Sequence, residues 1–296
     1  MITETLIERF RVNPGLKVNL EDFPTDWAGT ETGKLLGKDF IKQHYEDVLA
    51  HNRAELESAQ ELLYASNSHS VLLIFQAMDA AGKDGTIRHV MSGVDPHGCQ
   101  LFSFKKPSLE ELDHNFLWRF MKALPERGRI GIFNRSYYED VLVVKVHPEW
   151  IDEAQFGKPD KKFWEKRYDD INNFEKHLAR NGTLVLKFFL HLSKDEQKKR
   201  FLARLTDPAK HWKFNEADLA EREHWQAYQK AYEDALSATS TRKAPWYVIP
   251  ADRKYVARAL VAEIVVTAID CMKLEYPKLS PERMEKLAAA KERLEK

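Results

Sequence analysis

Residues 71–86, VLLIFQAMDAAGKDGT, constrain this chain more than any other stretch. The β-favouring run Val71 to Phe75 feeds a turn, then Gly82-Lys83, and the pattern predicts a helix from Asp84. Strand, small-residue loop, lysine and helix start together make the phosphate cradle of P-loop proteins. Backbone N–H groups at a helix N-terminus point at anionic oxygens, and Lys83 adds a mobile positive charge. Phosphoryl chemistry is therefore expected, with Ala80, Ala81, Gly82, Asp84, Gly85 and Thr86 set against the phosphates.

The loop departs from the standard G-x-x-x-x-G-K-[ST] pattern at both ends. Ala77 stands where that pattern has Gly, and Asp84 where it has a magnesium-binding hydroxyl. Two carboxylates, Asp79 and Asp84, thus stand in a site meant for anions. Carboxylates beside phosphates repel unless a divalent cation lies between them, which points to magnesium, with manganese as the alternative ion. Asp84 has a second reading as a helix cap.

Alternating apolar strands and amphipathic helices set the expected fold. Buried-type strands at 71–76, about 99–104, 129–136, 183–192 and 244–251 are separated by helices, which implies a mainly parallel sheet covered on both faces. The expected class is α/β, a P-loop kinase-like three-layer α/β/α sandwich with a helical lid. Ligands in such sheets bind at the carboxyl ends of strands. The tails Asp79 to Lys83, Asn134 to Asp140, and His191 with Ser193 should therefore converge. One domain is expected over 1–296. Its parts would be an arm and helix (1–69, with 1–36 wrapping the surface), a catalytic core (70–275, lid at about 200–222) and a charged helical tail (276–296). Capping boxes at Ser108-Leu-Glu-Glu111 and Ser193-Lys-Asp-Glu196 should open helices through Met121 and Leu205, and a further helix should span about 217–238. The tail suggests self-association to a dimer or tetramer.

Bulk properties exclude several classes. Formal net charge is zero over 296 residues, so no basic field marks a nucleic-acid binder. No apolar run approaches the roughly 20 residues of a membrane helix, and the opening MITETLIERF lacks a signal-peptide pattern. Cys99 and Cys271 have neither metal-ligand nor disulfide spacing. A cytoplasmic protein without membrane contact is expected.

Three further constellations carry chemistry. In F-N-R-S-Y-Y-E-D (133–140), Arg135 offers a fork for phosphate oxygens, and Glu139 and Asp140 follow one turn later. From 194 to 222, Lys198, Lys199, Arg200, Arg204, Lys210, Lys213 and Arg222 surround the break at Asp207-Pro208 and Trp212. Helix, break and helix with basic residues facing the break suit a lid that closes over phosphates and excludes water. Lys105-Lys106, Arg119 and Arg88 would extend the cationic surface away from the loop, as a long polyanion requires.

These stretches resemble the polyphosphate kinase 2 family. The resemblance is carried by DAAGKDGTI (79–87), SFKKPS (103–108), HNFLWR (114–119), GRIGIFNRSYYEDVLV (128–143), ARLTDPAKHWKF (203–214) and PWYVIPADRKYVAR (245–258). It implies reversible, magnesium-dependent phosphoryl transfer between inorganic polyphosphate and a nucleotide, with ADP and AMP as acceptors and ATP as a product. Asp79 would be the loop's catalytic acid, Lys83 its phosphate-binding lysine, Arg135 part of the second motif, and the basic lid would begin near Arg200. Asp79, Glu139 and Asp140 are the expected metal ligands; Asn134, Tyr137, Tyr138 and Asp207 the expected nucleotide contacts. Many family members carry Asp in an FDRS motif where this chain has Asn134, so the metal would rest on other carboxylates or the acceptor site would differ. The rival readings are an ATP-dependent nucleotide kinase and a non-catalytic polyanion-binding protein.

Overall fold

A computed structural model of the chain describes residues 4–29, 35 and 37–296. Its centre is a five-stranded, wholly parallel sheet in the order β2-β3-β1-β4-β5. The strands are β1 (Ser70–Gln76), β2 (Cys99–Ser103), β3 (Ile130–Asn134), β4 (Thr183–His191) and β5 (Trp246–Pro250). Every residue of β1 is buried, as its unbroken apolar run demands of a strand covered on both faces. The sheet is the expected α/β sandwich.

Helices cover the two faces through separate apolar clusters. On one side α1 (Glu4–Phe10), α2 (Lys38–Ser66), α3 (Lys83–Val90) and α12 (Lys254–Asp270) meet Val71, Leu73 and Phe75. On the other, α8 (Lys161–Arg180) and α11 (Trp225–Thr239) meet Leu72 and Ile74. The alternation along β1 decides which face each residue serves. Between them lie short helices α4 (Leu109–Leu112), α5 (Trp118–Met121), α6 (Val143–Val146) and α7 (Glu153–Phe156), then α9 (Lys194–Thr206), α10 (Ala217–Glu223) and the terminal α13 (Pro281–Glu295). No helix among the described residues is long and apolar enough to cross a membrane.

Several expectations need correction. The N-terminal segment does not simply wrap the surface: Phe10, Val12, Val18 and Leu20 are buried, and Val12 N–H donates to the Trp246 carbonyl, covering the β5 edge. The parts of that expectation on residues 1–3, 30–34 and 36 lie outside the described residues. The Ser108 box forms in full, yet its helix stops at Leu112, because Asn115 accepts the Leu117 N–H in a side-chain turn before α5 begins. Ser193 accepts from Glu196 N–H, but its own N–H goes to Asp252 instead of Glu196. The helix expected over 217–238 is two, divided at His224.

Gly131 in β3 is required by contact: a Cβ there would meet three atoms of the Pro125 ring at 2.9 Å. A rigid ring cannot yield as a flexible side chain would. Gly131→Ala should cost about 1–3 kcal/mol of stability by overpacking, read as a lower urea midpoint at unchanged slope. An unchanged midpoint would mean that the strand shifts freely.

Candidate active site

Among the described residues β1 is the only strand with later strands added on both sides, β3 on one and β4 on the other. A crevice at the carboxyl end of such a switch strand is where ligands enter open α/β sheets. The loop 77–82 fills this position. Ala80 (φ +61°) and Gly82 (φ +101°) are left-handed, whereas Ala77 is not. That explains why alanine is tolerated at the first Walker position.

Lys83 opens α3 and its ammonium donates to the Ala77 carbonyl at 3.0 Å. Burial lowers its pKa, helped by the neighbouring Arg135 and opposed by Asp79, Glu139 and Asp84. A bound phosphate would reverse that unfavourable balance. Asp84 does not cap α3. The N-cap is Gly82, and the exposed Asp84 carboxylate accepts from the Asn134 amide at 2.6 Å. Asn134 therefore acts as a donor to a carboxylate, a role that an ionised Asp at this position could not fill.

Arg135, itself left-handed at φ +66°, bridges Asp79 and Glu139 at 3.2 Å each. Glu139 and Asp79 raise its pKa against the opposing effect of burial. Asp140 turns away to Arg167 at 3.4 Å, and burial lifts its carboxyl to about 6. The structure thus does not assemble Asp79, Glu139 and Asp140 into one metal cluster, and no group of three His, Cys, Asp or Glu side chains among the described residues forms one. Asp79 and Glu139 do share one guanidinium. Two carboxylates completed by substrate phosphates suit a magnesium ion, which seldom takes an all-protein cage.

From Asp79 and Arg135 a cleft of about 1560 Å³ runs outward. Lys105, Lys106, Arg119 and Arg167 line it, together with the aromatic rings of Phe116, Trp150 and Phe163. Arg167 is held between Phe116 and Phe163, 4.9 Å from each ring, and donates to the Asp140 carbonyl. Arg119 lies over Phe120 and donates to the Lys105 carbonyl. Lys105, Lys106 and Arg119 therefore line the cleft that opens at Asp79, whereas Arg88 lies on the outer side of α3 near Arg258, whose pKa burial lowers with a further push from Arg88. The expected single cationic track is divided in two.

Four expected contacts are corrected. Tyr137 and Tyr138 are fully buried, and both hydroxyls donate to Glu175, so neither can touch a nucleotide. Asp207 caps the 3-10 turn Pro208–Lys213 and pairs with Lys210 at 2.7 Å, off the cleft. Arg200 is 8% exposed, and each of its five N–H groups has an acceptor: Glu196 and the carbonyls of Ala80, Ala81, Ala251 and Asp252. It has no donor left for phosphate. Gly85, whose carbonyl is bonded to the His89 ring, and the buried Thr86 are part of α3 itself. Within residues 204–222, Arg204 pairs with Asp218 of the cleft wall at 3.2 Å, and Lys213 sits over the exposed Trp212 ring.

Sequence reasoning missed Arg167, Gln197 and Asp218. Arg167 reads as one more polar residue of an amphipathic helix, and Gln197 carries no charge to draw the eye. Only the Ser193 cap, which fixes where α9 begins, hinted that Gln197 would face the loop.

At the cleft rim His147 joins Glu149 and Glu221, each at 3.0 Å, with Trp150 stacked at 4.7 Å and His224 edge-on at 5.1 Å. Burial lowers the His147 pKa, but the two carboxylates outweigh it and the net shift is upward. A raised histidine pKa stabilises fully below about 6.5, its unfolded value, and the benefit is lost as pH climbs through the folded value. The melting-temperature gap between the wild type and His147→Gln should therefore be wider at pH 6 than at pH 9. A gap independent of pH would refute the ion pair.

A family model described as polyphosphate kinase 2 (PPK2) matches residues 39–277. The chain belongs to the polyphosphate kinase 2 family. It is 52% identical over 293 residues to an ADP-polyphosphate phosphotransferase of Rhodopseudomonas palustris, covering 97% of this chain and 98% of that one. It is 44% identical over 272 residues to an AMP/ADP-polyphosphate phosphotransferase of Meiothermus ruber, covering 92% and 96%. The crystal structure of polyphosphate kinase 2 from Arthrobacter aurescens TC1 superposes with a TM-score of 0.83 at 41% identity, covering 96% of each chain. In this member of the family the loop 79–83 and the FNRS segment meet in one crevice, through the Asp79–Arg135 pair.

Proposed function

We propose that this protein transfers the terminal phosphoryl group of inorganic polyphosphate to ADP and AMP, reversibly, yielding ATP from ADP. The observation that carries this reading is the cleft: cations and aromatic rings lead from a wide mouth to the Asp79–Arg135 pair beside the loop. Rings suit a purine, and Lys105, Lys106, Arg119 and Arg167 suit its phosphates. The polymer approaches from the other side of the loop, where Arg88, Arg258 and Lys254 lie together and mutual repulsion helps burial to lower the pKa of the last two.

Lys83 and the loop amides hold the phosphoryl in transit, and Arg135 offsets charge between donor and acceptor. The acceptor oxygen is already anionic, so no strong general base is required. Asp79 and Glu139 would hold a divalent cation, magnesium by preference, which would supply charge neutralisation of phosphate oxygens. Family enzymes are generally divalent-metal dependent. The lid, from Arg204 to Arg222, closes over the cleft and keeps water from competing. The whole chain works as one catalytic unit in the cytoplasm, and the exposed α13 joins copies into a dimer or tetramer.

The test is an assay with ADP, polyphosphate and magnesium but no ATP. ATP formation that requires polyphosphate supports the reading; an ATP-dependent nucleotide kinase makes no more ATP with the polymer than without it, and a passive polyanion binder makes none. AMP in place of ADP tests the wider acceptor range.

A further inference from the structure

The phosphate-binding loop is held from behind by side chains that donate to its backbone carbonyls. Gln197 Nε2 donates to the Asp79 carbonyl at 2.9 Å, and Arg200 Nη1 to the Ala80 and Ala81 carbonyls at 3.0 and 2.8 Å. Both residues sit on one face of α9, three positions apart, and both are buried. Three consecutive loop carbonyls thus point at one helix. In a trans peptide the N–H lies opposite the C=O, so the amides of Ala80, Ala81 and Gly82 face the other way. The Ala81 amide closes a turn onto Met78 at 3.3 Å; among the described residues those of Ala80 and Gly82 have no protein acceptor. The left-handed residues Ala80 and Gly82 on either side of Ala81 complete an anion-binding concavity.

We propose that Gln197 and Arg200 are positioning residues that aim these amides at the transferred phosphoryl, and that Gln197 couples the loop to the lid. The coupling runs through Gln197 Oε1, which accepts from Arg222 Nη1 of α10 at 2.7 Å. Arg222 also donates to the Lys194 carbonyl, so the lid helix is tied to the start of α9. Arg200 meanwhile anchors the loop to the segment after β5 through Ala251 and Asp252. Its charge is compensated locally by Glu196 at 2.9 Å. What the site needs from Arg200 is its five-donor geometry and not its charge. The inference rests on the phosphotransfer reading above.

Lysine separates the two roles, because it keeps the charge and loses the fork. If Arg200 positions the loop, R200K and R200Q should both lose roughly tenfold or more in kcat, with the polyphosphate KM within about threefold of wild type. If Arg200 binds the polymer, R200K should keep near-native activity while R200Q raises the polyphosphate KM in a salt-dependent way; that result overturns the proposal. Q197L extends the test without any change of charge and stands even if the Arg200 variants do not fold. It should lower kcat with little change in KM. In substrate-free protein, hydrogen exchange of a peptide spanning 77–84 should quicken about tenfold in Q197L while the β1 core stays protected. Unchanged exchange there would overturn the proposal. That readout needs no turnover, so an inactive wild type would refute the assigned reaction and leave this test standing.

Discussion

Lys83→Ala is expected to lower kcat by roughly 10²–10³-fold while the protein stays folded. The side chain contributes one hydrogen bond to the fold, to the Ala77 carbonyl, and that acceptor lies at the edge of the open cleft where water can replace it. Its ammonium is desolvated and faces the cationic Arg135, so in the free protein it sits where a positive charge is disfavoured. A phosphoryl group arriving between Lys83 and Arg135 removes the repulsion, and the attraction grows as charge builds on the transferring oxygens. Loss of the lysine should therefore fall on kcat more than on KM. Steady-state ATP formation from ADP and polyphosphate, with the circular dichroism melt as a control, checks this. Near-native turnover would remove Lys83 from the chemistry.

The largest stability effect is expected beneath the second motif, at Lys187. This residue and Glu175 are essentially unexposed and 2.6 Å apart. Lys187 also donates to the Tyr138 hydroxyl and the Thr239 carbonyl, while Glu175 accepts from both tyrosines. Burial pushes the ammonium pKa down, and Glu175 alone opposes it. Lys187→Met would strand a carboxylate in the core and should cost about 3–5 kcal/mol. Removing both charges, with Glu175→Leu added, should recover much of that loss, since a buried pair is worth little against apolar packing. Urea denaturation of the two singles and the double tests this. A fully additive double would mean that the two charges do not interact. Because Tyr137 and Tyr138 hang from this network and are followed directly by Glu139, the single variants should also lose activity in proportion to the motif's loosening.

Tyr137 and Tyr138 show how far local sequence can be read. Their neighbours Arg135 and Glu139 line the crevice, and a strand end followed by polar residues needs only local pattern to be seen. The tyrosines stand in the same motif, yet a 3-10 turn after Ser136 sends them inward. Their phenols are satisfied by a glutamate 37 and 38 residues away. No spacing rule connects such residues. Arg200 failed for a related reason: a basic residue beside a lid break reads as a phosphate ligand until the carbonyls that surround it are known.

Local pattern along the chain was enough to set the sheet, the loop and the lysine. Strand burial, helix periodicity and capping are short-range effects written in adjacent residues, and the Gly82-Lys83 step needs only its strand and helix to become a cradle. Tertiary structure alone decided which charges are free. Whether an arginine meets substrate or backbone, and whether a carboxylate faces Arg135 or Arg167, depends on which distant chain segments share its space. Desolvation then drives buried charges towards partners, whatever their place in the chain.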